Sequence, residues 1–139
     1  MNSSRRIIFF LLLFAEFFLT IPQSVCADEV ATPAAKTDYG IIAGEWLRTD
    51  GGYLIRVSDV QPDGQATVEY FNPRSIHVAQ AAISTQKGLI KLFIKFLDKG
   101  YEGSTYKLYY YAEKDALLGF YYQAGMDKTF EVVFLKKTK

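Results

Sequence analysis

The chain carries few side chains able to do chemistry. His77 is the only imidazole in 139 residues, so a metal site of two or three histidines is excluded. A nucleophilic triad would have to join His77 to Ser58, Ser75, Ser84 or Ser104. None of these serines stands in a Gly-x-Ser-x-Gly elbow. His77 itself lies between Ile76 and Val78 in a strand-like stretch, where an exposed or hydrogen-bonded histidine is the ordinary reading. Paired carboxylates could hydrolyse a glycosidic bond if two acids faced each other across a cleft. Asp50, Asp59, Asp63, Asp98, Asp115 and Asp127 instead fall in or beside turns, where aspartate serves the local backbone. The sequence has neither a phosphate-cradling glycine loop nor an EF-hand spacing. Cys26 is the single cysteine, which leaves no intrachain disulfide, CxxC pair or cysteine zinc site. Catalysis needs a poised acid, base or nucleophile and a partner to orient it. The expectation is a protein that is not an enzyme and takes no cofactor.

The anomaly is aromatic. Eight aromatics lie between Tyr101 and Tyr122: Tyr101, Tyr106, Tyr109, Tyr110, Tyr111, Phe120, Tyr121 and Tyr122. Neighbours along a strand point to opposite faces, so Tyr109-Tyr110-Tyr111 and Tyr121-Tyr122 place aromatics on both sides of a sheet. The expected interior set is Tyr106, Tyr110, Phe120 and Tyr122, with Tyr70 from an earlier strand; together they form a candidate ligand site. The expected outer set is Tyr109, Tyr111 and Tyr121 beside Phe93, a candidate protein interface. Three readings stay open. Tyrosine is a good strand former that half-buries well. It is favoured at interface hot spots. It can also line a pocket for a small apolar or ring-bearing ligand.

Strands must position these side chains. Turn residues recur along the chain at Asp50-Gly51-Gly52, Pro62-Asp63-Gly64, Asn72-Pro73-Arg74, Gln86-Lys87-Gly88, Lys99-Gly100, Glu113-Lys114-Asp115 and Gly125-Met126-Asp127. Between them lie eight candidate strands, 45–49, 53–60, 66–71, 76–84, 89–97, 104–112, 117–124 and 129–136. Ile90, Leu92, Ile94 and Phe96 alternate with Lys91 and Lys95. Tyr53, Ile55 and Val57 alternate with Arg56 and Ser58. Period two means one buried and one wet face. Connections this short predict antiparallel pairing. The expected fold is all-β: an antiparallel eight-stranded up-and-down barrel, with a two-sheet sandwich as the other way to hide the edges. Bulky inward candidates such as Tyr70, Phe96, Phe120 and Phe134 predict a largely filled interior.

Arg5-Arg6, the apolar run from Ile7 to Leu19 with Glu16 inside it, and the small-x-small exit at Val25-Cys26-Ala27 read as a signal peptide over 1–27. The run is short of the roughly 20 apolar residues of a spanning helix, so no integral membrane span is expected after cleavage. A twin-arginine signal at Ser4-Arg5-Arg6 and lipidation of Cys26 are the alternatives. Residues 28–39 read as a flexible leader and 40–139 as the barrel domain. Losing Arg5, Arg6 and Glu16 leaves 14 basic and 14 acidic residues. That balance gives no field for nucleic acid. The expected location is periplasmic or secreted.

Gly44-Glu45-Trp46 opens the first strand just after Tyr39-Gly40-Ile41-Ile42-Ala43, which could form a short helical turn. A Gly-x-Trp followed by eight strands resembles the lipocalin and wider calycin barrels. That resemblance implies Trp46 packing across the closed end. Leu47 stands where those barrels usually have an aromatic, and Lys136 and Lys137 where they have an arginine. The chain is also similar to small exported bacterial proteins of unassigned function, through Trp46–Tyr53, Tyr70–Arg74, Gly103–Tyr106 and Gly119–Gln123. The expected function is an exported binding module for a small apolar ligand or a protein. The alternative is a cell-envelope inhibitor or accessory protein acting by protein contact. A homodimer through the outer aromatic face and a carbohydrate platform stay open.

Overall fold

The computed structural model describes residues 37–138. The expected signal peptide, Cys26 and the leader up to residue 36 lie outside the described residues. Within them the chain forms nine strands: β1 Gly44–Arg48, β2 Leu54–Ser58, β3 Thr67–Asn72, β4 Arg74–Ile76, β5 Val78–Gln86, β6 Leu89–Phe96, β7 Thr105–Tyr111, β8 Ala116–Gln123 and β9 Lys128–Lys136. They make one antiparallel sheet in the order β4-β3-β2-β1-β9-β8-β7-β6-β5. First and last strands meet, with Trp46 opposite Lys136 and Arg48 opposite Phe134. The sheet therefore curls into a nearly closed barrel.

The count of nine corrects the expected eight, and the reason sits at His77. The expected strand 76–84 is one continuous stretch that changes partner. Ile76 pairs with Tyr70 of β3, whereas Ala81 and Ile83 pair with Ile94 and Leu92 of β6. Between them the His77 N–H donates to the Asp98 carboxylate at 2.9 Å, and the His77 carbonyl accepts from Leu97. A register shift between Val78 and Gln80 follows. Such an irregularity bends a strand and lets it leave one neighbour for another. β3 and β5 form no ladder with each other, and the Ile83 N–H reaches the Gly64 carbonyl at 2.8 Å to bridge the seam. Gly64 has φ +89°, and a Cβ there would stand 2.0 Å from the Ile83 carbonyl oxygen. Only glycine fits that position.

One end of the barrel is plugged. A 3₁₀ turn at Tyr39–Ile42 is capped by Asp38, whose carboxylate accepts from the Gly40 N–H. The turn thus begins within the last residues expected to be leader. Ile42 is fully buried, and its carbonyl accepts from the Trp46 indole N–H at 2.9 Å. The Tyr39 hydroxyl meets Thr85 on β5, and Lys136 on β9 donates to the Ile41 carbonyl. The plug is therefore held on both sides of the end it covers, and Trp46 packs beneath it against the edge of Tyr110.

Alternation set the core as the sequence predicts on most strands. Ile55, Val57, Val68, Leu92, Ile94 and Phe96 are buried, and the residues between them are more exposed. Trp46, Tyr70, Phe96, Tyr106 and Phe134 are each at most 1 % exposed and fill the interior. Burial of this kind supplies the main driving force for a domain that has no disulfide among its described residues.

Candidate functional site

The end of the barrel opposite the plug is open, and polar groups gather there. β1 brings them in by its alternation: Trp46 points into the core, so Arg48, two residues on, points inward as well. Its side chain is only 11 % exposed, although it carries a charge. Burial works against that charge. Hydrogen bonds to Asp50 and Tyr106 outweigh the penalty and keep the guanidinium firmly protonated. Nη2 donates to Asp50 at 2.8 Å and Nη1 to the Tyr106 hydroxyl at 3.2 Å. The guanidinium carbon lies 4.6 Å from the centroid of Tyr53, a cation–π arrangement. Nε is buried and ion-paired with Asp50, yet its N–H is not directed at any acceptor.

Around this cation stand tyrosines from β3, β7 and β8 and from the connections that precede β2 and β7. The Tyr106 hydroxyl meets that of Tyr70 at 3.2 Å. Tyr70 lies parallel to Tyr53 and tilted against Phe96. Tyr121 lies tilted against Tyr106 at 4.7 Å between ring centroids. Asn72, next inward after Tyr70 on β3, donates to the Tyr101 hydroxyl at 2.6 Å. Arg48, Tyr53, Tyr70, Asn72, Tyr101 and Tyr121 line an open depression of about 230 Å³, with Gly100 and Gln123 at its rim. Burial pushes the Tyr70, Tyr106 and Tyr121 hydroxyls above the ordinary tyrosine range. At neutral pH they are therefore hydrogen-bonding groups, not phenolates.

The expected interior set is brought together only in part. Tyr70, Tyr106 and Tyr110 are inside, Tyr110 beside Trp46 near the plug. Phe120 and Tyr122 are not. Phe120 is 45 % exposed, and Tyr122 lies on the outer face with its hydroxyl donating to Asp127. Tyr121, expected outside, is 9 % exposed and belongs to the mouth. The connection Ala112–Asp115 explains the reversal. It pairs Tyr111 with Ala116, so Tyr106 faces Tyr121 and Leu108 faces Gly119. Residues directly opposite share a face, and an offset of one moves a whole strand's side chains across.

Outside, Tyr109 and Tyr111 stand where expected, and Phe93 is half-buried on the same side. Together with Leu118, Phe120, Glu131 and Val133, Tyr109 and Tyr111 line a shallow groove of about 330 Å³. Gly119 forms its floor. A Cβ there would stand 2.0 Å from the Lys107 carbonyl oxygen, so β7 and β8 approach closely only because this residue is glycine.

Arg48, Asp50, Tyr53, Asn72, Tyr101 and Gln123 were not singled out from the sequence. One signal was present. In the alternating strands containing Trp46 and Tyr70, the next inward positions are Arg48 and Asn72, polar residues in the core phase. His77 is 84 % exposed and paired with Asp98, and no serine is among its hydrogen-bond partners. Among the described residues no group of His, Cys, Asp or Glu side chains converges to hold a metal ion, and no helix is long and apolar enough to cross a membrane. No family model matches the chain, and neither a curated protein nor a solved structure matches it.

Proposed function

We propose that the chain is a non-enzymatic binding module, exported to the periplasm or secreted, whose ligand site is the tyrosine-lined mouth. One observation carries this reading: a charged guanidinium, nine-tenths buried, lies at an open depression with rings and hydroxyls around it. Such a group costs free energy to bury, and a site with a few converging polar groups among aromatic walls is the usual form of a ligand site. The filled interior favours the mouth over a central cavity. At about 230 Å³ the depression is smaller than the roughly 300–1,000 Å³ of drug-sized pockets, so its ligand is fragment-sized and partly polar. The plug and the position of Trp46 support the likeness to calycin barrels, and the sequence over 1–27 supports export. A melting series with a fragment library tests the site. Ligands that raise the melting temperature in proportion to occupancy should lose that effect in Tyr101→Ser. A library that never raises it would sink the reading.

A second reading is contact with protein through the outer wall, and the partner it fits is a second copy. Lys107, Phe120 and Glu131 lie in one row across β7, β8 and β9. A two-fold axis through Phe120 would set Lys107 of each copy against Glu131 of the other, with Tyr111 and Leu118 beside it. Sizing of the protein at increasing concentration should show a dimer that Lys107→Glu weakens and Lys107→Glu with Glu131→Lys restores. A monomer at every concentration removes this reading. The same wall would also serve a cell-envelope inhibitor or accessory protein.

A further inference from the structure

The arrangement around Arg48 carries one step more, and it rests on the mouth as the ligand site. An arginine offers five N–H donors in a fork matched to a carboxylate. Here the fork is filled by a carboxylate of the chain itself. Asp50 lies just after β1, its side chain 56 % exposed, in a turn whose next two residues are Gly51 and Gly52. Its contacts to Arg48 are the only side-chain bonds it makes, so little holds it in place beyond the ion pair. Arg48 is different: beyond Asp50 it is held by the Tyr106 hydroxyl and packed over the Tyr53 ring. The cation is preorganised, and the anion on it can leave.

We propose that the mouth binds a small ring-bearing carboxylate, whose carboxylate takes the place of Asp50 on Arg48 while its ring lies against Tyr53, Tyr101 and Tyr121. Asp50 is then a built-in competitor that keeps the guanidinium paired when the site is empty. The hydroxyl of Tyr101, held by Asn72, and the amide of Gln123 are the polar groups at the rim that would choose among ring substituents. No bond is made or broken; the exchange is one carboxylate for another. Displacing Asp50 exposes it to water, where a carboxylate is well solvated, so the exchange costs little.

Benzoate and its neutral counterpart benzyl alcohol test this, titrated into the isotopically labelled protein recovered after export and followed by amide chemical shifts of residues lining the mouth. Benzoate should bind at least tenfold more tightly than benzyl alcohol. Asp50→Asn removes the competing charge while keeping its shape, and should tighten benzoate by threefold or more with the benzyl alcohol affinity unchanged. Arg48→Lys should weaken benzoate, because an ammonium lacks the fork. Should Arg48→Lys fail to fold, the Asp50→Asn comparison stands alone, since Asp50 is at the surface. Equal binding of benzoate and benzyl alcohol would overturn the carboxylate and leave the mouth as a site. Benzoate binding that Asp50→Asn leaves unchanged or weakens would overturn the exchange. No shift at the mouth with either probe would overturn the inference, while a fragment that raises the melting temperature and loses that effect in Tyr101→Ser would keep the mouth as a site.

Discussion

A buried hydroxyl is tolerated only when paired, and Tyr70 and Tyr106 satisfy each other at the inner edge of the mouth. Tyr70→Phe should therefore lower stability by about 1 kcal/mol, read from the midpoint of urea unfolding. The same burial sets a pH dependence. The Tyr70, Tyr106 and Tyr121 hydroxyls have pKa values raised in the folded chain, while the unfolded chain titrates near the ordinary value of 10.0. Above that pH the unfolded state releases protons that the folded state retains, so stability falls as pH rises. The melting temperature should drop progressively above about pH 10, and a flat profile to pH 12 would contradict the burial of these hydroxyls. At this scale the sequence was only half legible. Tyr70, Tyr106 and Tyr110 were found by alternation, but Phe120, Tyr121 and Tyr122 were assigned to the wrong faces, because the phase of β8 depends on how the Ala112–Asp115 connection closes. Arg48 went unnoticed because a charge in a strand is read as facing water, although its spacing from Trp46 says otherwise.

Among the elements, the turns and the seam decide the architecture. Lys87 and Gly88 both have positive φ and join Gln86 to Leu89, as a two-residue hairpin requires. Two other hairpins use one device twice. A 3₁₀ turn ends at an aspartate in the left-handed region, and a tyrosine on the preceding strand donates to that carboxylate, Tyr110 to Asp115 and Tyr122 to Asp127. These aspartates were legible as turn residues; their tyrosine partners were not, since the pairing is a matter of three-dimensional reach. The bend at His77 was also hidden, because an uninterrupted strand pattern covers both halves of the split strand. Gly64→Ala should cost about 3 kcal/mol, combining backbone strain with a clash against a carbonyl that cannot move without opening the seam. Gly125→Ala, with open space around it, should change stability by less than about 0.5 kcal/mol. Denaturant midpoints of the two variants check the pair, and equal losses would contradict the role given to the seam.

For the whole molecule, the barrel separates two kinds of surface. The plugged end and filled interior make a rigid support, and the open end presents a cation and tyrosines whose positions that support holds. The outer wall presents aromatics on β7 and β8 with charges at either side. All-β character, antiparallel pairing and a filled core could be read from the sequence, because alternation and turn chemistry are local. The barrel was expected as well, but the strand count and the site at the mouth could not be read, since each depends on which strand edges meet. The most direct measurement of the central claim is a native mass spectrum of the protein recovered from its own host, alongside Arg48→Met. A reproducible added mass of fragment size is expected on the parent and should be missing from the variant. A parent that carries no added mass, or one that Arg48→Met retains in full, would contradict it.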